Sequence, residues 1–334
     1  MTSREIVQAT LQFQGPERLA RDTWILPIAF QGRQQEMDAL LARHPGDIAH
    51  VTPPGHLFHI PFATKGEHQD IWGCSWLVLQ DGMVGEVKRS PLEDYRALAG
   101  YEWPLETLRS NWVDPSSTIA AKRDTYLLGF VGALFERMQF LRGSQNLYED
   151  LADEECSEVY ELRDQVARLM HEYLDRWLLT DVDAVYFADD WGSQRSLLIS
   201  PRKWREFFKP VYKSFFDKAR AAGKAIFMHS DGYIAEIYPD FIELGVTALN
   251  SQVWCMGLDT LEQYAGKITF WGELDRQHLL PHGTPAAIHA AAQAMMKHCY
   301  RNGGLIGQCS IEQVWHTENV AAALSAWDEL LVVR

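Results

Sequence analysis

Three residues in this chain have the types and spacing to hold a metal ion. His229 and Asp231 stand two apart in His229-Ser230-Asp231-Gly232, and Cys309 ends a late apolar run, LIGQC. On an extended segment residues i and i+2 point the same way, so both side chains of the pair can reach one point. Imidazole, carboxylate and thiolate are all competent zinc ligands, and three protein ligands leave one coordination position open for chemistry. The plain alternative is a hydrogen-bonded structural histidine, an aspartate capping the next helix and an inert buried thiol. Polar residues also gather at the ends of other apolar runs: Asp189-Asp190-Trp191-Gly192, Asn250, and Glu273 with Asp275. Asp189, Asp190, Gln194 and Glu273 are the candidates for proton transfer or for orienting a substrate. Arg33, Trp191, Asn250 and Trp271 are the candidates for substrate binding. Each alone fits a helix cap or a satisfied core group, and the signal is their concentration at run ends.

The runs themselves say what must position these groups. They are 24–30 (WILPIAF), 126–131 (YLLGFV), 184–188 (AVYFA), 225–229 (AIFMH), 246–250 (VTALN), 268–272 (ITFWG) and 305–309 (LIGQC). Short apolar runs of this kind suit strands buried on both faces of a parallel sheet. Amphipathic stretches such as 159–179 and 201–222 lie between them and read as helices. Ser200-Pro201 reads as an N-cap followed by proline at the first helical position. Gly223 and Gly245 stand where helices should end. Repeated strand–helix units imply a doubly wound sheet or a barrel. No GxGxxG follows the first run, so the open-sheet nucleotide signature is missing. The expected fold is therefore α/β, one (β/α)8 TIM barrel spanning 1–334 as a single domain. Within it, 66–85 around WGCSW reads as a loop-rich insertion or hairpin, and a strand somewhere in 47–62 has no clear bounds. A barrel carries its active site at the C-terminal ends of its strands, where these polar residues stand.

Composition narrows the partners. The 334 residues include 31 basic and 45 acidic side chains, a formal charge of −14, with no basic run. That argues against nucleic acid and anionic membranes, both of which reward clustered Lys and Arg. Five cysteines without a CxxC pair argue against a disulfide framework and for a reduced, cytoplasmic setting. The N-terminus has no signal-peptide core, and no stretch approaches the ~18 apolar residues of a membrane span. The expected ligand is a small molecule, with monomer or homodimer left open.

With the motifs in view, the stretch 223–319 resembles the C-terminal half of the uroporphyrinogen decarboxylase superfamily. The matching pieces are GKAIFMHSDGYI, PDFIELGVTALNSQ, ITFWGELDRQHLLPHGTP and GGLIGQCSIEQVWHTEN. PERLARDTW, GFVGALFERMQFLRG and FADDWGSQ carry it more loosely through the N-terminal half. The resemblance implies one (β/α)8 barrel over nearly the whole chain. In the decarboxylase branch, a Met-Arg-Gln-Ala-Gly-Arg motif and a late His serve a tetrapyrrole with eight carboxylates. Here that motif reads AFQGRQQEM, keeping only Gly32-Arg33, and Cys309 stands at the late His. In the methyltransferase branch, His-x-Cys and a late Cys hold a zinc ion that activates a thiol toward a methylcorrinoid. Here His229 and Cys309 match and Asp231 replaces the first Cys, which makes the site harder.

The resemblance thus implies a metal-assisted methyltransferase or demethylase. His229, Asp231 and Cys309 would bind zinc or another divalent metal, and a separate partner protein would supply a corrinoid. Asp189 or Asp190 would orient the substrate together with Gln194. A carboxy-lyase of a smaller acid is the alternative, with Asp190 or Asp231 donating a proton and Arg33 clamping a carboxylate. A non-catalytic small-molecule-binding barrel is the third reading. Trp72, Trp76, Trp191, Trp254 and Trp271 point to a flat or apolar substrate, or else to core packing. Asp189 and Asp190 should divide their roles, since adjacent residues at a strand end face opposite ways.

Overall fold

Side-chain alternation along the apolar runs builds two packed layers around one ring of strands. In a computed structural model that describes residues 1–52, 56, 58 and 63–330, eight strands run parallel. They are β1 (Ala20–Ile25) and β2 (Ile48–Val51), and then, beyond β3 (Gly66–Gln69), β4 (Ser75–Val78) and β5 (Glu86–Arg89), β6 (Tyr126–Gly132), β7 (Ala184–Ala188), β8 (Ala225–Ser230), β9 (Ala248–Ser251), β10 (Thr269–Glu273) and β11 (Leu305–Ile311). Their spatial order is β1-β11-β10-β9-β8-β7-β6-β2, a TIM barrel. At the seam between β1 and β2, Asp47 N donates to Arg21 O at 2.8 Å, and the Asp47 carboxylate accepts from Arg21 N at 2.9 Å.

One parity of each strand fills the barrel: Ala20, Tyr126, Leu128, Ala184, Phe227, Ala248, Trp271 and Ile306 pack together. The other parity, including Val185, Met228, Leu249, Phe270, Leu305 and Cys309, packs outward into the helical layer. This division decides which strand-end groups can meet.

The expected strands and helices recur with shifts that have local causes. The first strand is Ala20–Ile25 rather than 24–30, because Pro27 has no N–H for a ladder and opens the 3-10 turn Pro27–Phe30. The strand β11 runs two residues past Cys309, to Ile311. The helix Glu158–Leu178 matches its amphipathic pattern. Ser200 caps as expected, its Oγ accepting from Lys203 N at 3.1 Å, and Gly223 and Gly245 take the left-handed φ of +74° and +80°. The insertion is a three-stranded antiparallel sheet, β3-β4-β5. Asp70 organises it, accepting from Trp72 N, Cys74 N and Trp76 Nε1, and Trp72 and Trp76 pack it onto the barrel's helical layer, Trp76 against Phe140 with ring centroids 5.0 Å apart and Trp72 under the Arg137 guanidinium. The unplaced strand of 47–62 is β2; residues 53–55, 57 and 59–62 lie outside the described residues. Among the described residues, no helix is long and apolar enough to cross a membrane.

Candidate active site

Asn250 sets the orientation of the central histidine. His229 and Asn250 pair in register on β8 and β9. Asn250 Nδ2 donates to Trp271 O at 2.6 Å, which turns its Oδ1 toward His229 Nδ1, also at 2.6 Å. Nδ1–H is thereby committed, and Nε2 is left to carry a second proton or an ion. It faces Asp190 Oδ1 at 3.4 Å and Asp231 Oδ1 at 3.7 Å. These gaps are long for hydrogen bonds, and Asp231 Oδ1 is buried without a hydrogen-bond partner. Asp190, His229 and Asp231 each offer a ligand atom within 4.8 Å of the others. Burial alone would push His229 down, but the nearby carboxylates of Asp190 and Asp231 outweigh it and raise the imidazole to about 10. Burial would push Asp190 up, but His229 holds it below the usual carboxylate range.

Two loops carry the carboxylates, and they are zipped together. Asp231 N donates to Asp190 Oδ1 at 2.8 Å, Gly192 N to Asp231 O at 3.2 Å and Tyr233 N to Ser193 O at 2.7 Å. Beyond β10, Arg276 spreads its guanidinium over Glu273 Oε1 at 3.2 Å, Asp231 and Glu312. Those three carboxylates raise Arg276 against the effect of its burial. Burial pushes Glu273 up to about 8, although Arg276 pulls the other way. Glu136, on the helix Leu134–Arg142, is held well above the carboxylate range by burial and by the charges of Asp190 and Asp189. Sequence reasoning missed Arg276, Glu312 and Glu136. The signal that could have found them is position, since each lies within a few residues of a strand's C-terminal end.

Asp189 and Asp190 divide as their alternation requires. Asp189 is fully buried and accepts from Leu134 N and Glu136 N, both at 2.8 Å, and from the Tyr212 hydroxyl. It braces the start of the next helix, while Asp190 faces His229. Asp189→Asn should therefore lower stability by about 1–3 kcal/mol, because an amide N–H would meet a buried donor. Asp190→Asn should keep the wild-type melting temperature and lose activity. Equal effects of the two on melting would contradict this division.

The other sequence candidates fall elsewhere. Cys309 pairs with Thr23 in register and packs outward with Leu305 and Ile311, so β11 presents Gln308 and Ser310 to the interior instead. The structure thus brings His229 and Asp231 together with Asp190 and not with Cys309. Burial pushes the Cys309 thiol up to about 12, which disfavours a thiolate. Cys309→Ala should cost about 1 kcal/mol in stability and leave metal content unchanged; loss of metal in this variant would restore the thiol as a ligand. Trp191 is buried and stacks on Phe135 with ring centroids 4.4 Å apart. Trp271 is buried at the barrel centre, its Nε1 donating to Asp22 Oδ2 at 3.1 Å. Arg33 spends its donors on Ala29 O and Trp315 O, at 2.7 and 2.6 Å, away from the cluster. Gln194 donates to Gln252 Oε1 at 2.6 Å. It helps line a mouth cavity of about 120 Å³ with Trp254, Cys255, Glu273 and Arg276. A larger cavity, about 850 Å³, opens at the opposite end of the barrel around Arg4, Asp183 and Lys224. It lies at the N-terminal ends of the strands, away from the polar cluster.

The family model for uroporphyrinogen decarboxylase (URO-D) matches residues 112–330, the span that holds Asp190, His229, Asp231 and Arg276. The chain belongs to the uroporphyrinogen decarboxylase family. Among solved structures, this family member is similar to a methyltransferase from Methanosarcina mazei, with a TM-score of 0.72 and 16% identity over 98% of this chain and 99% of that one. At that identity the likeness is one of fold. The YdhT protein from Bacillus subtilis gives a TM-score of 0.46 and 11% identity, over 97% of this chain and 87% of that one. No curated protein sequence matches the chain.

Proposed function

We propose that this family member is a metal-assisted methyltransferase or demethylase that works on a small substrate at the C-terminal mouth of its barrel. The observation that carries the reading is the Asp190–His229–Asp231 cluster. Donors ~2.0–2.2 Å from one ion stand roughly 3–3.6 Å from each other, close to the 3.4 and 3.7 Å measured from Nε2. The orphaned Asp231 Oδ1 has the lone pair such an ion would use. Asn250 supplies the outer hydrogen bond that metal-binding histidines commonly have. One nitrogen and two oxygens suit a divalent ion harder than the thiolate-bound zinc of the methyltransferase branch.

When bound, a divalent ion at this position would supply Lewis acidity and lower the pKa of a thiol or water acceptor. The chain's own groups do the rest. Asn250 holds the imidazole in one tautomer, Asp190 fixes the loop through Asp231 N, and Arg276 offsets the charge of Asp231, Glu273 and Glu312. Gln194, at the mouth, would orient the substrate. The methyl carrier would be a corrinoid on a separate protein.

The carboxy-lyase reading has less support. It needs a guanidinium free to clamp a carboxylate. Arg276 is engaged by three carboxylates and Arg33 by backbone carbonyls. The test is elemental analysis of the purified protein, followed by methyl transfer to or from free cobalamin with added Zn²⁺, Mn²⁺ or Fe²⁺. The proposal requires a stoichiometric ion and a transfer rate that Asp190→Asn abolishes. Carbon dioxide release from small acids, without methyl transfer, would overturn it.

A further inference from the structure

We infer that the cavity at the N-terminal end of the barrel is a second ligand site, which takes a polar organic anion through Arg4, Arg123, Lys224 and the Tyr126 hydroxyl. The anionic group is a phosphate ester or a carboxylate. The inference is independent of the methyl-transfer reading, since the two sites lie at opposite ends of the strands.

The first observation is space. The cavity, about 850 Å³, lies among the helices Ser3–Leu11 and Ser116–Ala121 and the segments that enter β6, β7, β8 and β9. That volume is usual for a small-molecule site. This end of a TIM barrel ordinarily serves stability, and a purely stabilising face would be filled with side chains.

The second observation is a buried hydroxyl. Tyr126 opens β6, is 3% exposed and lines the cavity. Its hydroxyl makes no hydrogen bond to any described residue, although the charges of Asp183 and Arg4 reach it. Buried hydroxyls are ordinarily satisfied. A ligand in the cavity is placed to satisfy this one.

The third observation is the kind of group left unmet. The charged lining consists of Arg4, Arg123 and Lys224 with Asp181 and Asp183. Asp183 is spent, accepting from Arg4 Nε at 2.7 Å and from Leu127 N at 2.9 Å. Lys224 Nζ donates to Thr180 O and Val182 O, both at 2.8 Å, and keeps a third N–H. Arg4 keeps Nη1, and Arg123 its whole guanidinium, without a partner among the described residues. Arginine and lysine cannot accept, so each of these hydrogens seeks a lone pair. Asp181 is the carboxylate left over, and it is exposed at the rim. An oxyanion meets the unmet donors with charge-assisted hydrogen bonds. A cation would meet Asp181 alone and face three cationic side chains.

The experiment uses three probes of similar size and hydroxyl content: glucose 6-phosphate, gluconate and neutral glucose. Binding to full-length protein is followed by calorimetry in chelator, so that no ion at the mouth can hold an anion. At least one of the two anions should bind saturably, about tenfold or more tightly than glucose, and which of them does so identifies the anionic group. Arg123→Gln should weaken that anion about tenfold and Tyr126→Phe about fivefold, since each removes a donor and leaves the fold's own contacts in place. Absence of binding by both anions overturns the inference, as does glucose binding as tightly as they do. Wild-type affinity in either folded variant also overturns it, because the anion would then sit elsewhere. If Tyr126→Phe does not fold, Arg123→Gln decides, its side chain being exposed and unpartnered among the described residues. Failure of the methyl-transfer reading would appear separately, as protein that takes up no ion.

Discussion

Replacing His229 with alanine should abolish metal binding while the barrel stays folded. The imidazole is the only nitrogen donor of the cluster, and Asn250 presents its Nε2 to Asp190 and Asp231. Without it, two carboxylates face each other with no group between them, which costs about 1–3 kcal/mol unless one takes up a proton. The pH dependence gives a second readout. In the metal-free protein His229 is raised from its ordinary 6.5 to about 10. A raised histidine contributes stability that is fully present below its unfolded pKa and is lost as pH rises through the folded one. Metal-free wild type should therefore melt higher at pH 6 than at pH 10, and His229→Ala should lose much of that difference. Adding a divalent ion should stabilise wild type most at high pH, where no proton competes for Nε2. Melting curves in chelator and in excess metal check this. An Asn250→Ala control should weaken metal binding by about 10–100-fold rather than abolish it. Undiminished metal content in His229→Ala would remove the cluster as the site.

Gly232→Ala should damage both fold and site. Gly232 sits at φ +79°, where a side chain is strained. Its added methyl would fall inside the carbonyl of Gly192, 2.7 Å from the Gly192 Cα. Strain costs about 1–2 kcal/mol, and prising the two loops apart adds to it, so the loss should reach about 3 kcal/mol or more. Because the same loops carry Asp190 and Asp231, the surviving folded protein should bind metal more weakly. Thermal melts with metal titration measure both. A variant with wild-type stability and affinity would show that the Gly192–Gly232 contact positions nothing.

Both predictions follow from geometry that was only partly legible in the chain. His229 and Asp231 could be paired from sequence because i and i+2 on an extended end share a face, which is a purely local rule. The division of Asp189 from Asp190 followed from the same rule, as did the barrel from alternating apolar runs and helices. Ser200, Gly223 and Gly245 were readable because caps and left-handed turns are decided within a few residues.

Cys309 shows where locality ends. Its position at the end of a run made it look like a ligand, but the strand continues to Ile311 and its register with β1 pairs Cys309 with Thr23. Register is set by contacts with a strand nearly three hundred residues away in sequence, and a shift of one residue exchanges the inward and outward faces. Arg276 is a similar case. Its contact with Glu273, three residues back, is local, but only the ring of strands brings Asp231 and Glu312 around it as well. The sequence by itself determined the alternation of strands and helices, the capping residues and the chemical types available at the strand ends. The tertiary structure alone decided which of those groups face one cavity, because that depends on strand register and barrel closure, which no short stretch of chain encodes.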